Sequence, residues 1–383
     1  MKEKQGKKVK IKVMSIFGTR PEAIKMCPLV KELEKHENIE SIVCLTGQHK
    51  EMLQQVIDIF GMNIKYNLDI MRPKQTLAAI TTSILDGIQL ILDSEKPDIV
   101  LVHGDTSTSF AVALAAFYMQ IPVGHVEAGL RTYNKYSPYP EEMNRCLTGR
   151  IAELHFAPTE QNRKNLEKEN IRENVFVTGN TVIDAFRTTV KKNYVYKNKN
   201  LAEINFTGKS CILVTAHRRE NLGKPLENIC YAVKRIVEEF PDIEVVYPVH
   251  MNPIVRDTVE KILGETNRVH LTLPLDVEDM HNLMSASILV MTDSGGLQEE
   301  APSCGVPVLV LRTETERPEA VEAGTVKVVG VKEEDIYQNV RLLLTDSALY
   351  NRMAQAVNPY GDGHACERIV THIAEWMTKR DKE

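Results

Sequence analysis

The feature that most constrains this chain is a rhythm. Short β-branched runs alternate with helical-period segments, and the alternation breaks once and then restarts. Such alternation is the signature of parallel α/β architecture. In the first half the strand candidates cover residues 10–17, 41–45, 98–103, 123–126, 155–157 and 175–177, with helix candidates such as 23–36, 77–94 and 107–119 between them. Several of these strands lack polar alternation, as strands covered on both faces do. Residues 187–209 then turn polar and rich in Lys and Asn, which reads as a linker. The rhythm resumes with 211–215, 244–248, 269–273, 288–292 and 306–311. We therefore expect a Rossmann-like domain over 1–186, a linker over 187–209, a second Rossmann-like, nucleotide-binding domain over 210–365, and a final helix over 366–383 that could pack back on the first domain. A length of 383 residues suits two separate cores.

Composition removes several classes of function. A net charge of -5 argues against a nucleic-acid binder, which needs a basic stripe to neutralise phosphates. The N-terminal MKEKQGKKVKIK is basic like a signal peptide, but the apolar run behind it is short and stops at Gly18, so it reads as a first strand. We expect no membrane span, since no run of about 20 apolar residues stands out. The seven cysteines are scattered and never form a CxxC pair, which fits a reducing, cytoplasmic setting. Neither an HExxH nor a zinc-like Cys/His spacing occurs, so no metal and no cofactor are expected. His103, His125 and His155 read as packed or hydrogen-bonded histidines rather than ligands.

The unusual residues lie just past the predicted strands. In tandem parallel-sheet domains, ligands bind beyond the carboxyl ends of the strands, here an expected interdomain cleft. The first strand runs into FGTRPEAIK, with one glycine where a dinucleotide fold shows GxGxxG. Arg20 and Lys25 flank a helix start suited to an anion, although an ordinary surface pair carries equal weight there. VTAHRREN places His217, Arg218 and Arg219 together at a strand end, and His217 titrates near neutrality. TDSGGLQEE is the sharpest phosphate signal: Ser294, Gly295 and Gly296 join a buried strand to a helix, and Glu300 is placed for ribose hydroxyls. TGKS at 207–210 is no P-loop, because Glu203 stands where the first glycine belongs and a strand follows rather than precedes it. Opposite these elements stand Asp105, Glu127 and Glu141, carboxylates able to divide acid and base roles. Glu142 reads as a helix N-terminal acid.

Taken in order, FGTRPEAIKM, HGDTSTS, VGHVEAGLRT, YSPYPEEMNR, VTGNTVIDA, TAHRREN, YPVHMNP, TDSGGLQEEAPS, ERPEAVEAGT and NPYGDG resemble the bacterial non-hydrolysing UDP-N-acetylglucosamine 2-epimerases over nearly the whole chain. The resemblance implies a GT-B fold, a homodimer, and interconversion of UDP-GlcNAc and UDP-ManNAc that supplies cell-surface polysaccharide. The implied route eliminates UDP to 2-acetamidoglucal and re-adds it with the opposite configuration. Carbon 2 carries no acidic proton, so cleavage at the anomeric carbon must lead or keep pace, and the departing diphosphate needs strong stabilisation. Carried over by resemblance, Arg20, Lys25, His217, Ser294, Gly295, Gly296, Glu300 and Arg317 bind substrate, while Asp105, Glu127, Glu141 and His217 are catalytic. Some relatives bind a second UDP-GlcNAc as activator; the corresponding positions are Gln48, His49, Lys74, Arg218 and His250. Here Glu51 replaces a glutamine and Lys74 an arginine, and Lys is no equivalent of Arg for bidentate phosphate. A hydrolysing epimerase, a GT-B glycosyltransferase and a non-catalytic sugar-nucleotide sensor are the competing readings.

Overall fold

A computed structural model of the protein describes residues 10–47, 50–72 and 74–380. The chain forms two compact units, one running to Ala185 and resuming at Tyr360, the other spanning Phe186–Pro359. Each is built on one all-parallel sheet, as the alternating pattern requires.

The first sheet contains β1 (Ile11–Phe17), β2 (Ile39–Leu45), β3 (Tyr66–Asn67), β4 (Ile99–His103), β5 (Val123–Val126), β6 (Leu154–Ala157) and β7 (Val175–Val177), in the order β3-β2-β1-β4-β5-β6-β7. Its chain order reverses between β1 and β4, where Val13 pairs with Ile99. The second sheet contains β8 (Ser210–Thr215), β9 (Ile243–Pro248), β10 (Val269–Thr272), β11 (Ser287–Thr292), β12 (Val308–Val310) and β13 (Val326–Val328), in the order β10-β9-β8-β11-β12-β13. Here the reversal falls between β8 and β11, with Val290 opposite Leu213. Loops at such reversals splay apart and leave a crevice past the strand ends.

The helices that matter below are α1 (Arg20–Glu34), α2 (Ser107–Tyr118), α3 (Glu141–Ile151), α4 (Val277–Ala286), α5 (Gly295–Glu300) and α6 (Ala365–Arg380). A capping box starts α1: Thr19 accepts from the Glu22 N–H, and the Glu22 carboxylate accepts from the Thr19 N–H at 2.7 Å. The fully buried Met14, Ile16, Val100 and Val102 of the first sheet pack with Ile84, Ile88 and Leu92 of helix Leu77–Glu95. Each such side chain contributes roughly 1.5–3 kcal/mol of burial.

Helix Leu77–Glu95 leaves standing the expectation that no unbroken run of about 20 apolar residues occurs. Its 19 residues are long and apolar enough, by length and composition, to cross a membrane. Interspersed Thr, Ser, Asp and Gly hide it when only unbroken apolar runs are sought. It buries Ile84, Ile88 and Leu92 at helical spacing, whereas Leu90 on another face is 75% exposed.

Residues 187–209 lie within the second unit and are tied to α4. Asp279 accepts from the backbone N–H of Lys197 at 2.9 Å and of Asn198 at 2.8 Å, and Lys191 pairs with Glu278 at 2.6 Å. The final helix α6 belongs to the first unit and packs on α1.

Candidate active site

In the first domain the functional side chains follow the carboxyl ends of strands at and beyond the chain-order reversal. Glu127 follows β5 with φ +61, a left-handed backbone that few buried side chains adopt. It is 7% exposed, and its Oε2 is paired with the Lys25 ammonium of α1. The same oxygen accepts from Asn180 Nδ2 at 3.1 Å and lies 3.6 Å from His103 Nε2. Burial alone would raise the Glu127 carboxyl, but the neighbouring Lys25 and Arg145 hold it well below the usual range. Burial pushes His103 itself down to about 4, so it is a neutral ring at pH 7. Neutral His125, likewise depressed by burial, to about 3, donates from Nε2 to the Gly104 carbonyl at 2.7 Å and props the loop that leads to Asp105.

Asp105 is ion-paired with Arg145, and its carbonyl accepts from Asn144 Nδ2 at 2.9 Å. Both partners project from α3, whose first residue is the half-buried Glu141. One helix thus carries Glu141 and the groups that orient Asp105. The adjacent Glu142 accepts from the N–H groups of Thr132 and Tyr133, the latter at 2.8 Å, and so pins a loop rather than facing a substrate. Arg20 opens α1 half-buried, one turn before Lys25.

The second domain presents a cationic rim. Buried Asp293, just past β11, accepts through Oδ2 from the N–H groups of His217 and Arg218, both at 2.8 Å, and from Asn221 Nδ2 at 2.9 Å. This charged acceptor fixes the β8 loop to the β11 loop and leaves the His217 ring exposed and stacked on His250, centroids 5.0 Å apart. Ser294 precedes α5. A Cβ added to Gly295 would stand 3.8 Å from Nη2 of both Arg218 and Arg317, so two guanidiniums converge on this glycine turn. Gly296 carries the Glu300 carboxylate close by, with Oε1 3.1 Å from where a Cβ would be. Glu300 also faces His281 Nε2 at 3.3 Å, and Arg317 is paired with Glu299. Burial would raise Glu316, but Arg218, Arg312 and Arg317 outweigh it and lower the carboxyl.

Lys74 is exposed at φ +57, two residues before the Thr76 cap of helix Leu77–Glu95. Gln48 and His49 lie outside the described residues. Sequence reasoning did not pick out Arg145 or Asn180 as site residues, although YSPYPEEMNR and VTGN contain them. Among the described residues no group of three or more His, Cys, Asp or Glu side chains is arranged to hold a metal ion.

Two parallel-sheet α/β domains, each with polar groups gathered at its chain-order reversal, define a GT-B protein. The fold is shared, at 11% identity and a TM-score of 0.64, with the glycotransferase of kitacinnamycin over 95% of this chain and 99% of that one. A family model described as UDP-N-acetylglucosamine 2-epimerase matches residues 31–374. The UDP-N-acetylglucosamine 2-epimerase of Bacillus subtilis (strain 168) is 57% identical over 366 residues, 95% of each chain. The crystal structure of UDP-GlcNAc 2-epimerase from Neisseria meningitidis bound to UDP-GlcNAc superposes with a TM-score of 0.85 at 48% identity, covering 95% of this chain and 100% of that one. The chain belongs to the UDP-N-acetylglucosamine 2-epimerase family.

Proposed function

We propose that the protein interconverts UDP-GlcNAc and UDP-ManNAc without net hydrolysis. The observation that carries this reading is Glu127: a buried carboxylate kept ionised by Lys25 on the same domain that presents Asp105 on Arg145. A protein that only bound a sugar nucleotide would have no use for so costly an arrangement.

In the proposed sequence the C1–O bond to UDP breaks with its electron pair leaving on the diphosphate, and the C2 proton passes to a carboxylate. The products are 2-acetamidoglucal and UDP. Reversal from the opposite face delivers a proton to carbon 2 and restores the C1–O bond, so atoms balance with no external reagent. Asp105, Glu127 and Glu141 share the proton transfers, while His217, Arg317 and the Ser294–Gly296 turn take up charge developing on the diphosphate. Glu300 takes the ribose hydroxyls. A second UDP-GlcNAc, held in part by Arg218 and His250, would act on the reaction through the His217–His250 stack. The product would feed synthesis of a cell-surface polysaccharide.

The exposed Leu90, Phe117 and Tyr118 are apolar side chains of the first domain that support a homodimer. Light scattering that finds a monomer at micromolar concentration would remove the dimer.

The deciding experiment incubates the protein with UDP-GlcNAc alone in deuterated water and follows it by NMR. UDP-ManNAc deuterated at carbon 2 is the expected product. Free ManNAc as main product would establish hydrolysis instead, and absence of exchange would sink both epimerase routes.

A further inference from the structure

We infer that Asn180 is a positioning residue for Glu127, and that the return of the chain at Tyr360–Gly361 sets its reach. The inference rests on Glu127 being a proton-transfer group, as proposed above.

Lys25 neutralises Glu127 from a flexible stem, which supplies charge but little direction. Asn180 supplies direction. It is 3% exposed, and its Oδ1 accepts from the Val182 N–H at 3.1 Å. That bond decides which way the amide points, so the atom 3.1 Å from Glu127 Oε2 is the NH2 donor. Its own N–H donates to the Tyr360 carbonyl at 2.7 Å, which fixes the backbone behind the amide.

The contact between these two passages of chain is backbone on backbone. Gly179 has φ +90, and a Cβ there would meet the Tyr360 carbonyl oxygen at 3.3 Å and Gly361 Cα at 3.4 Å. Gly361 has φ +122, and a Cβ there would meet Gly179 Cα at 3.2 Å. Only glycine serves at both positions. Two further grips hold the passages together. Asp184 accepts from the N–H groups of Ala365 at 3.2 Å and Cys366 at 2.9 Å, and Arg368 donates to the Thr178 carbonyl at 3.1 Å while pairing with Asp362 at 2.7 Å. The residues just before α6 therefore set where the Asn180 amide stands, and the amide sets which lone pair of Glu127 is left for a substrate.

A purely structural role is available to Asn180, because its Oδ1 bond to Val182 caps helix Thr181–Thr189. Two variants separate the roles. Asn180→Asp keeps the shape and the acceptor for Val182 but turns the donor into a second carboxylate oxygen beside Glu127. We expect kcat for epimerisation to fall about 100-fold, the acid limb of kcat against pH to move upward, and KM for UDP-GlcNAc to stay within about twofold. Asn180→Ser keeps an acceptor near the helix start but is too short to reach Glu127; kcat should fall about tenfold at unchanged folded fraction by circular dichroism. Gly361→Ala should also lower kcat about tenfold, whereas Gly208→Ala, an equally left-handed glycine with open space around it in the second domain, should leave it unchanged. Wild-type kcat and acid limb in both Asn180 variants, or losses no larger than their unfolded fractions, would overturn the inference. Glu127→Gln distinguishes the two levels. If it exchanges deuterium at the wild-type rate, the role given to Glu127 falls and this inference with it; if it is dead while the Asn180 variants are intact, only this inference falls.

Discussion

Replacing Lys25 with methionine tests the electrostatics of the first domain in isolation. Methionine keeps the apolar stem and removes the ammonium, leaving Glu127 buried without its principal cation. Breaking a buried pair by deleting one partner costs about 3–5 kcal/mol. The lower end applies here, because Asn180 still donates to the carboxylate at 3.1 Å and Arg145 remains nearby. For a domain of this size, about 3 kcal/mol corresponds to a Tm loss of roughly 6–12 °C. The pH dependence carries the sharper test. Pairing lowers the folded-state pKa of Glu127, so its stabilisation is fully present above the ordinary value of 4.5 and is lost as pH falls below it. Without Lys25 the desolvation of Glu127 is no longer outweighed, its folded pKa rises, and protonation relieves the buried charge. The Tm deficit relative to wild type should therefore be largest at pH 8 and shrink at pH 5.5. Circular dichroism melts without substrate at both pH values measure it. An equal deficit at the two would mean that Glu127 carries no buried charge, and the reasoning would fail.

Asp105→Asn should reduce deuterium exchange at carbon 2 by at least about 1000-fold while UDP still binds, since it leaves the second domain untouched; calorimetry with UDP reads the second half of that statement. Asp293→Asn can keep its carbonyl oxygen toward His217, Arg218 and Asn221, but it removes the charge from those bonds and buries an NH2 where Oδ1 has no hydrogen-bond partner, so it should cost about 2 kcal/mol of stability and about tenfold in UDP affinity. Cys27, Cys44, Cys211, Cys230 and Cys366 are buried thiols with pKa values pushed up by burial, to about 12 for Cys44, Cys211 and Cys230. Iodoacetamide at pH 8 should label none of them until the protein is unfolded, as mass mapping will report.

The parallel architecture was legible because both-face burial leaves its mark residue by residue: β4 reads Ile-Val-Leu-Val-His, and every one of its positions is buried. Two strands escaped. Tyr66–Asn67 is two residues long and polar, and Val326–Val328 puts an exposed lysine at its centre, as edge strands do. Single residues after strands stood out as chemistry because their types are costly there, which is how Asp105, Glu127 and His217 were noticed. Their supports did not stand out. Arg145 lies 40 positions from Asp105, Asn180 lies 53 from Glu127, and Asp293 lies 76 from His217. No local pattern joins such pairs; only the sheet order brings them together. Helix Leu77–Glu95 reads as no unbroken apolar run, since its apolar content is spread over faces and broken by Thr and Asp.

Glu127 concentrates two violations of ordinary folding economy. Its φ of +61 costs about 1–2 kcal/mol for a side-chain-bearing residue, and its burial without partners would cost several more. A chain selected for stability alone would place glycine there, as it does two residues on at Gly129, φ +90. What offsets the cost comes from separate places: the Lys25 ammonium from α1, the Asn180 amide from the turn after β7 and the charge of Arg145 from α3. These segments are brought together by the carboxyl edge of one sheet. A buried carboxylate on a left-handed backbone at a strand end, paired with an ammonium and aimed by an amide donor, has the make-up of a group presented to a substrate. One substitution removes both violations. Glu127→Gly relieves the backbone but leaves the Lys25 ammonium without the Glu127 carboxylate, so it should fold less stably than wild type near pH 5, while exchanging no deuterium at carbon 2.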